Sequence, residues 1–196
     1  MAHDEDDRPR LWLVRHGETE WSRSGQHTSR TDIPLTALGR RQAAGVARKL
    51  ANHEFAFVLS SPKVRALETA ELAGFGDRVE TTDDLFEWDY GEDEGRATPE
   101  IREDRPGWTI WVDGPLGGET AEAVAARVDR VIARVRDADD DVLVFAHGHV
   151  LRVLAARWIG EPPTEGRFFE LGTATVSVLG WERETPTIER WNEACG

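Results

Sequence analysis

Short apolar runs alternate along the chain with stretches of helical period. Leu11-Trp12-Leu13-Val14 is a continuous apolar run of strand length. Ala43, Val46, Ala47 and Leu50 then fall at i, i+3, i+4 and i+7, so the chain from Thr36 reads as an amphipathic helix. Phe55-Ala56-Phe57-Val58-Leu59 predicts a second buried strand. Ser61 as N-cap and Pro62 at the first helical position predict a helix to about Ala73, stopped by Gly74 and Gly76. Val79-Glu80-Thr81 reads as a short third strand. Ala121, Val124, Ala125, Val128, Val131, Ile132 and Val135 trace one face of a long helix. Val142 to Ala146 is another buried strand, and Leu151, Leu154, Ala155 and Trp158 mark the helix after it. Strand-like segments follow near 168–180 and 186–191.

Continuous apolar strands separated by helices fit a layered α/β fold with a mostly parallel sheet. A chain of 196 residues suits one domain. Residues 1–9 are expected to form a frayed acidic tail, leaving 10–196 as that domain. Residues 77–118 break the alternation: they are acidic, aromatic and rich in Gly and Pro, with a short helix expected near Pro99–Glu103. An irregular stretch of that length inside a compact domain is commonly functional. The Asp137–Asp141 run is expected to be a solvated turn, since it lacks the glycine and spacing of a calcium loop.

In parallel sheets, ligands sit beyond the carboxyl ends of the strands. The first strand runs into Arg15-His16-Gly17, the second into Ser60-Ser61-Pro62 with Arg65 one turn later, and the strand at 142–146 into His147-Gly148-His149. Two histidines and two arginines thus converge on one edge. An uncharged imidazole is a good nucleophile toward phosphorus, and guanidinium forks neutralise phosphoryl oxygens. Gly17 permits close backbone approach.

Charge changes this picture only in part. The 24 basic and 37 acidic side chains give a net charge of −13, which argues against nucleic acid or an anionic membrane surface as partner. It does not argue against a small anionic substrate. Much of the acid lies in the N-terminal tail, the 80–104 stretch and the 137–141 turn, and distant charge is screened beyond about 8–10 Å. Cys195 stands alone, which excludes an intramolecular disulfide and fits a reducing compartment. No run approaches the ~20 apolar residues of a membrane span. Met1 to Arg10 is too polar for a signal peptide, so the cytoplasm is expected.

The run Leu13-Val14-Arg15-His16-Gly17-Glu18-Thr19-Glu20-Trp21 resembles the signature of the histidine phosphatase superfamily, the phosphoglycerate-mutase-like proteins. The resemblance extends through Leu35-Thr36-x-x-Gly39, Ser60-Ser61-Pro62 with Arg65, Glu87 before Tyr90-Gly91, Gly117-Gly118-Glu119-Thr120 and His147-Gly148. It implies a three-layer α/β/α fold with about six strands. His16 is then the nucleophile that becomes phosphohistidine, and Arg15, Arg65 and His147 bind the phosphoryl oxygens. Glu87 is implied as the acid that protonates the leaving oxygen and then activates water. Gly17, Ser22, Thr28, Ser29 and Gly148 are expected around the phosphate. Ser22 stands where many members have Asn, and Ser29 where mutases often have Gly. The reaction so implied uses no cofactor and no metal.

Mutases of the family hold a substrate carboxylate with further basic residues. Here no lysine follows Lys63, no Arg-Arg pair lies in 90–118, and His149 stands where mutases often have Asn. These departures favour a phosphatase of small phosphomonoesters, with sugar phosphates a plausible class. Ser22-x-x-Gly25-x-His27-Thr28, Glu87-Trp88-Asp89-Tyr90-Gly91 and Trp108-x-x-Trp111 look most like the mycobacterial acid-phosphatase type. Trp108 and Trp111 fit either a core face or a pocket wall, and Trp111 is expected at the substrate. His149 is expected in packing, and His3, His27 and His53 at the surface. Three alternatives stay open: a cofactor-dependent phosphoglycerate mutase, a metallohydrolase holding zinc with His147, His149, His16 and a carboxylate, and a non-catalytic phosphoryl-binding protein. The sequence is silent on oligomeric state.

Overall fold

A computed structural model describes residues 8–195. They form a six-stranded sheet in the order β3-β2-β4-β1-β5-β6. Its parallel part is β1 (Leu11–Arg15), β2 (Phe57–Ser60), β3 (Val79–Thr81) and β4 (Val142–Ala146). The strands β5 (Val176–Glu182) and β6 (Thr185–Glu193) add an antiparallel hairpin beside β1. The sheet is therefore mostly parallel, as the alternation predicts.

Strand residues face alternately up and down, and both faces are apolar here. Leu11, Leu13, Val142 and Val144 pack in one buried cluster with α5 (Ala121–Arg136) and α6 (Gly148–Trp158). Trp12, Val14, Leu143 and Phe145 pack in the other with α2 (Ala37–Leu50) and α3 (Val64–Leu72). The result is three layers. Short helices α1 (Glu20–Ser24) and α4 (Thr98–Asp104) lie in the connections.

Four expectations change. The helix predicted from Pro62 begins at Val64: the Ser61 hydroxyl is held by His147 Nε2 at 2.8 Å and meets Lys63 N only at 3.4 Å. Asp32 Oδ1 accepts from Val64 N at 2.9 Å instead, so a side chain from another loop caps α3. The segment expected as strand from 168 becomes one only at Val176, because residues 163–168 coil into a 3₁₀ turn and Ala174 takes a positive φ. Asp141 is no mere solvated residue: its carboxylate accepts from Arg10 N and Trp12 Nε1, each at 2.8 Å, and ties the start of β1 to the start of β4. Of the predicted acidic tail, residues 1–7 lie outside the described residues. Pro9 is buried and Arg8 stacks on Trp181 at 4.3 Å.

Candidate active site

The carboxyl ends of β1 and β4 are neighbours, with Arg15 opposite Ala146. His16 N donates to Ala146 O at 3.0 Å, which carries the ladder one residue further and fixes the His16 backbone. The next residues are locked by close packing. A Cβ on Gly17 would lie 2.4 Å from Gly39 O, and one on Gly39 would lie 2.1 Å from Glu18 O. Gly17 therefore brings the N-terminus of α2 against the loop and does not line the cleft. Thr36 completes that join: its hydroxyl caps α2 through Gly39 N and donates to Glu18 Oε1 at 2.8 Å.

The tautomer of His16 follows from its partner. Nδ1 lies 2.7 Å from Gly17 O, which can only accept, so Nδ1 carries the proton and Nε2 holds a lone pair. Burial, then the positive charges of Arg65 and Arg15, hold the imidazole well below its ordinary range. His16 is therefore neutral near pH 7. His147 reads the same way. Arg65 Nε donates to His147 Nδ1 at 3.1 Å, so Nε2 carries the proton and donates to Ser61 Oγ. Burial and then Arg65 push its pKa well down too. The two rings meet edge-on with centroids 5.2 Å apart.

The cleft at His16 is lined by Arg15, Ser22, Gln26, Thr28, Glu87, Gly148 and others on the same strand ends and loops. Arg15 Nη1 donates to Leu171 O, while its buried Nε has no protein acceptor. Arg65 and His147 stand beside His16 without lining the cleft. Arg65 is fully buried and donates to the carbonyls of Thr28, Ser29 and Thr31. A buried guanidinium needs acceptors, and this loop supplies them.

Glu87 sits at the other wall. Its Oε1 accepts from Trp88 N at 2.9 Å and Val150 N at 2.8 Å, and its Oε2 from His149 N at 3.0 Å. The first N–H groups of a helix have no intrahelical acceptor. Glu87 satisfies two of them at α6.

The remaining expectations separate. Ser22 and Thr28 line the cleft, but Ser22 Oγ closes a capping box with Thr19, and Thr28 Oγ1 donates to Gln26 O. Ser29 is buried away from the cleft and its hydroxyl donates to Glu87 O at 3.0 Å. Trp111 does not reach the cleft either. It packs edge-on against Trp88 at 5.7 Å and tilted against His149 at 5.2 Å, because Gly166 lets it fit where a Cβ would clash at 2.8 Å. His149 and His27 do line it, and Tyr90 Oη lies 2.7 Å from His149 Nδ1. Arg152 joins the cleft without belonging to any of the motifs. It stacks on Trp111 at 4.5 Å and donates to Gly166 O. Its place one turn beyond Gly148, on the same helix face, was the available signal.

The three histidines proposed as metal ligands point to different partners: Gly17, Ser61 and Tyr90. Among the described residues no three His, Cys, Asp or Glu side chains gather as a metal site.

A model of the histidine phosphatase superfamily (branch 1) matches residues 11–194. The chain belongs to the histidine phosphatase superfamily. This histidine phosphatase is 42% identical over 177 residues to an acid phosphatase of Mycobacterium tuberculosis, covering 88% of this chain and 87% of that one. It is 40% identical to sedoheptulose 1,7-bisphosphatase of Saccharomyces cerevisiae, over 78% of this chain and 68% of the relative. The solved structure of a Mycobacterium tuberculosis open reading frame product superposes with a TM-score of 0.91 at 38% identity, covering 96% of this chain and 99% of that one. Among the described residues no helix is long and apolar enough to cross a membrane.

Proposed function

We infer that this chain is a phosphomonoesterase that hydrolyses small phosphorylated metabolites through a phosphohistidine on His16. The observation that carries the reading is the His16 tautomer: a neutral ring in the cleft, with Nδ1–H bound to Gly17 O and the Nε2 lone pair available. Nε2 attacks phosphorus and the bond to the leaving oxygen breaks. Glu87 gives that oxygen a proton. Water then attacks the phosphorus of phosphohistidine, the P–N bond breaks, and Glu87 takes the proton from water. Phosphate leaves, and both groups return to their starting state.

Arg15 supports the same reading. A buried donor without an acceptor costs about 1–3 kcal/mol, and a phosphoryl oxygen would satisfy its Nε. Arg65 and His147 act beside His16, Arg65 as fixed positive charge and His147 through its bonds to Arg65 and Ser61. The cleft is also lined by Gln26, His27, His149 and Arg152, polar groups suited to a sugar-sized leaving group. The relatives named acid phosphatase and sedoheptulose 1,7-bisphosphatase favour hydrolysis of such substrates. A net charge of −13 disfavours nucleic acid.

The test is a rapid acid-free quench during turnover, with a panel of phosphomonoesters that includes phosphoglycerate under a mutase readout. Acid-labile phosphate on His16, together with release of inorganic phosphate, is expected. Turnover without a phosphohistidine, or isomerisation of phosphoglycerate as the faster reaction, overturns the reading.

A further inference from the structure

The Gly117-Gly118-Glu119-Thr120 run has so far been given no task. Thr120 caps α5 through Ala123 N at 3.1 Å. Glu119, just before it, meets Arg127 in the second turn of the same helix in a two-pronged pair: Nε to Oε1 and Nη2 to Oε2, both 3.0 Å. The pair then reaches both sides of Glu87. Arg127 Nη1 donates to Asp84 O at 2.9 Å and to Phe86 O at 2.6 Å, ahead of Glu87. Glu119 Oε2 accepts from Asp89 N, and Glu119 O from Trp88 Nε1, each at 2.9 Å, behind it.

The two backbones have no slack between them. Glu119 N donates to Asp89 O at 3.0 Å, and a Cβ on Gly118 would lie 2.1 Å from that same oxygen. Gly91 takes a φ of +52°, and a Cβ there would lie 2.2 Å from Leu116 O. The glycines let residues 116–119 lie directly against 89–91.

Neither Glu119 nor Arg127 lines the His16 cleft; both line a separate cavity on the opposite side of Glu87. Their hydrogen bonds reach the reaction through the Glu87 segment, while the Arg127 charge is also felt, more weakly than that of Arg65, at His147. Arg127 is buried and stands on a helix whose apolar face is packed in the core, so the guanidinium is anchored.

We propose that the Glu119–Arg127 pair positions Glu87 for proton transfer, making these two the positioning residues of the acid–base step. The proposal rests on the reading of Glu87 as the acid and base. Proton transfer needs the donor within about 2.6–3.2 Å of the acceptor. A lysine at 127 keeps the charge, but as a single point it cannot bracket two carbonyls and a carboxylate.

The experiment compares Glu119→Gln, Arg127→Lys and Arg127→Met with Glu87→Gln on two substrates. Glycerol phosphate leaves as an alkoxide that needs the proton. Dinitrophenyl phosphate leaves as a stable phenolate that does not. In each positioning variant kcat/KM on glycerol phosphate is expected to fall about 10–100-fold. The dinitrophenolate burst is expected to change less than about threefold, the pattern of Glu87→Gln at smaller size. Phosphohistidine should accumulate in the variants, since its hydrolysis also needs Glu87. Glu119→Gln is isosteric and keeps an acceptor for Asp89 N, so it reports even where an Arg127 variant does not fold. Equal losses on both substrates would make the pair merely structural and overturn the proposal, as would wild-type rates on both. If Glu87→Gln itself shows no dependence on leaving group while wild type forms phosphohistidine, the acid assignment fails and the proposal falls with it. Absence of phosphohistidine in wild type instead removes the phosphatase reading.

Discussion

His16 stands one residue beyond β1, and its amide continues the ladder to β4 through Ala146. Glu87 stands in a stretch of 3₁₀ turns, and its position depends on side-chain bonds to α6, Ser29 and the Glu119–Arg127 pair. One half of the cleft is thus placed by the sheet, and the other by polar contacts between distant segments. Backbone ladders tolerate loss of a side chain. A polar network fails as a unit when one member is removed. The two halves should therefore respond differently to equivalent changes.

The largest contrast comes from the two reacting groups. His16→Ala should lower phosphate release by roughly 10⁴–10⁶-fold. Its melting temperature should stay close to wild type, because the backbone bond to Ala146 survives. Glu87→Gln should lose about 10²–10⁴-fold on an alkyl phosphate. It should also lose stability, about 1–2 kcal/mol, because an amide NH2 replaces one of the two oxygens that accept from the first N–H groups of α6. Turnover assays with thermal melts on both variants check this. A His16 variant that melts far earlier than the Glu87 variant would reverse the comparison.

A pH titration comes next. Burial is the first cause that holds the His16 and His147 imidazoles well below their ordinary value, and nearby arginines add to it. In the unfolded chain these groups bind protons below about pH 6.5. There the unfolded state holds more protons than the native one, so stability falls as pH falls, by up to about 1.4 kcal/mol per pH unit for each group. The loss runs from about pH 6.5 down to the native values. The same depression keeps His16 neutral in acid, so kcat/KM should show no acid limb near 6.5. Urea melts and rate profiles between pH 7 and 4.5 measure both effects. A nucleophile that titrates near 6.5 would contradict the buried, cation-flanked ring.

The division between the halves also explains how much could be read from the chain. Arg15, His16 and His147 were legible because apolar runs mark strands and a parallel sheet brings their ends together. Arg65 was legible one turn into the next helix. What it touches was not, since its acceptors are carbonyls of Thr28, Ser29 and Thr31, more than thirty positions away. Arg127 lies on the buried side of α5 among Val124, Val128 and Val131, where periodicity places only apolar residues. Its reason to be there is a carbonyl pair in another segment. The Trp108-x-x-Trp111 motif points Trp111 to the substrate, yet its ring packs against Trp88 and His149. Local pattern reports which face a residue takes. It does not report which distant polar group will meet it there.

The smallest effect on turnover is expected at the other end of the same two strands. Asp141 accepts from Arg10 N and from Trp12 Nε1. Trp12 is almost fully buried, so its indole N–H has no ready replacement for the lost acceptor. Asp141→Ala should cost roughly 1–3 kcal/mol of stability. The β1–β4 ladder from Leu11 to Arg15 stays paired along its length, and His16 keeps its amide bond to Ala146. If the sheet alone places the His16 half, kcat and the leaving-group dependence should both match wild type in folded Asp141→Ala protein. A lowered kcat at full folding would mean that strain at one end of β1 reaches the other, and that the ladder is a less independent support than the Glu87 network it is set against.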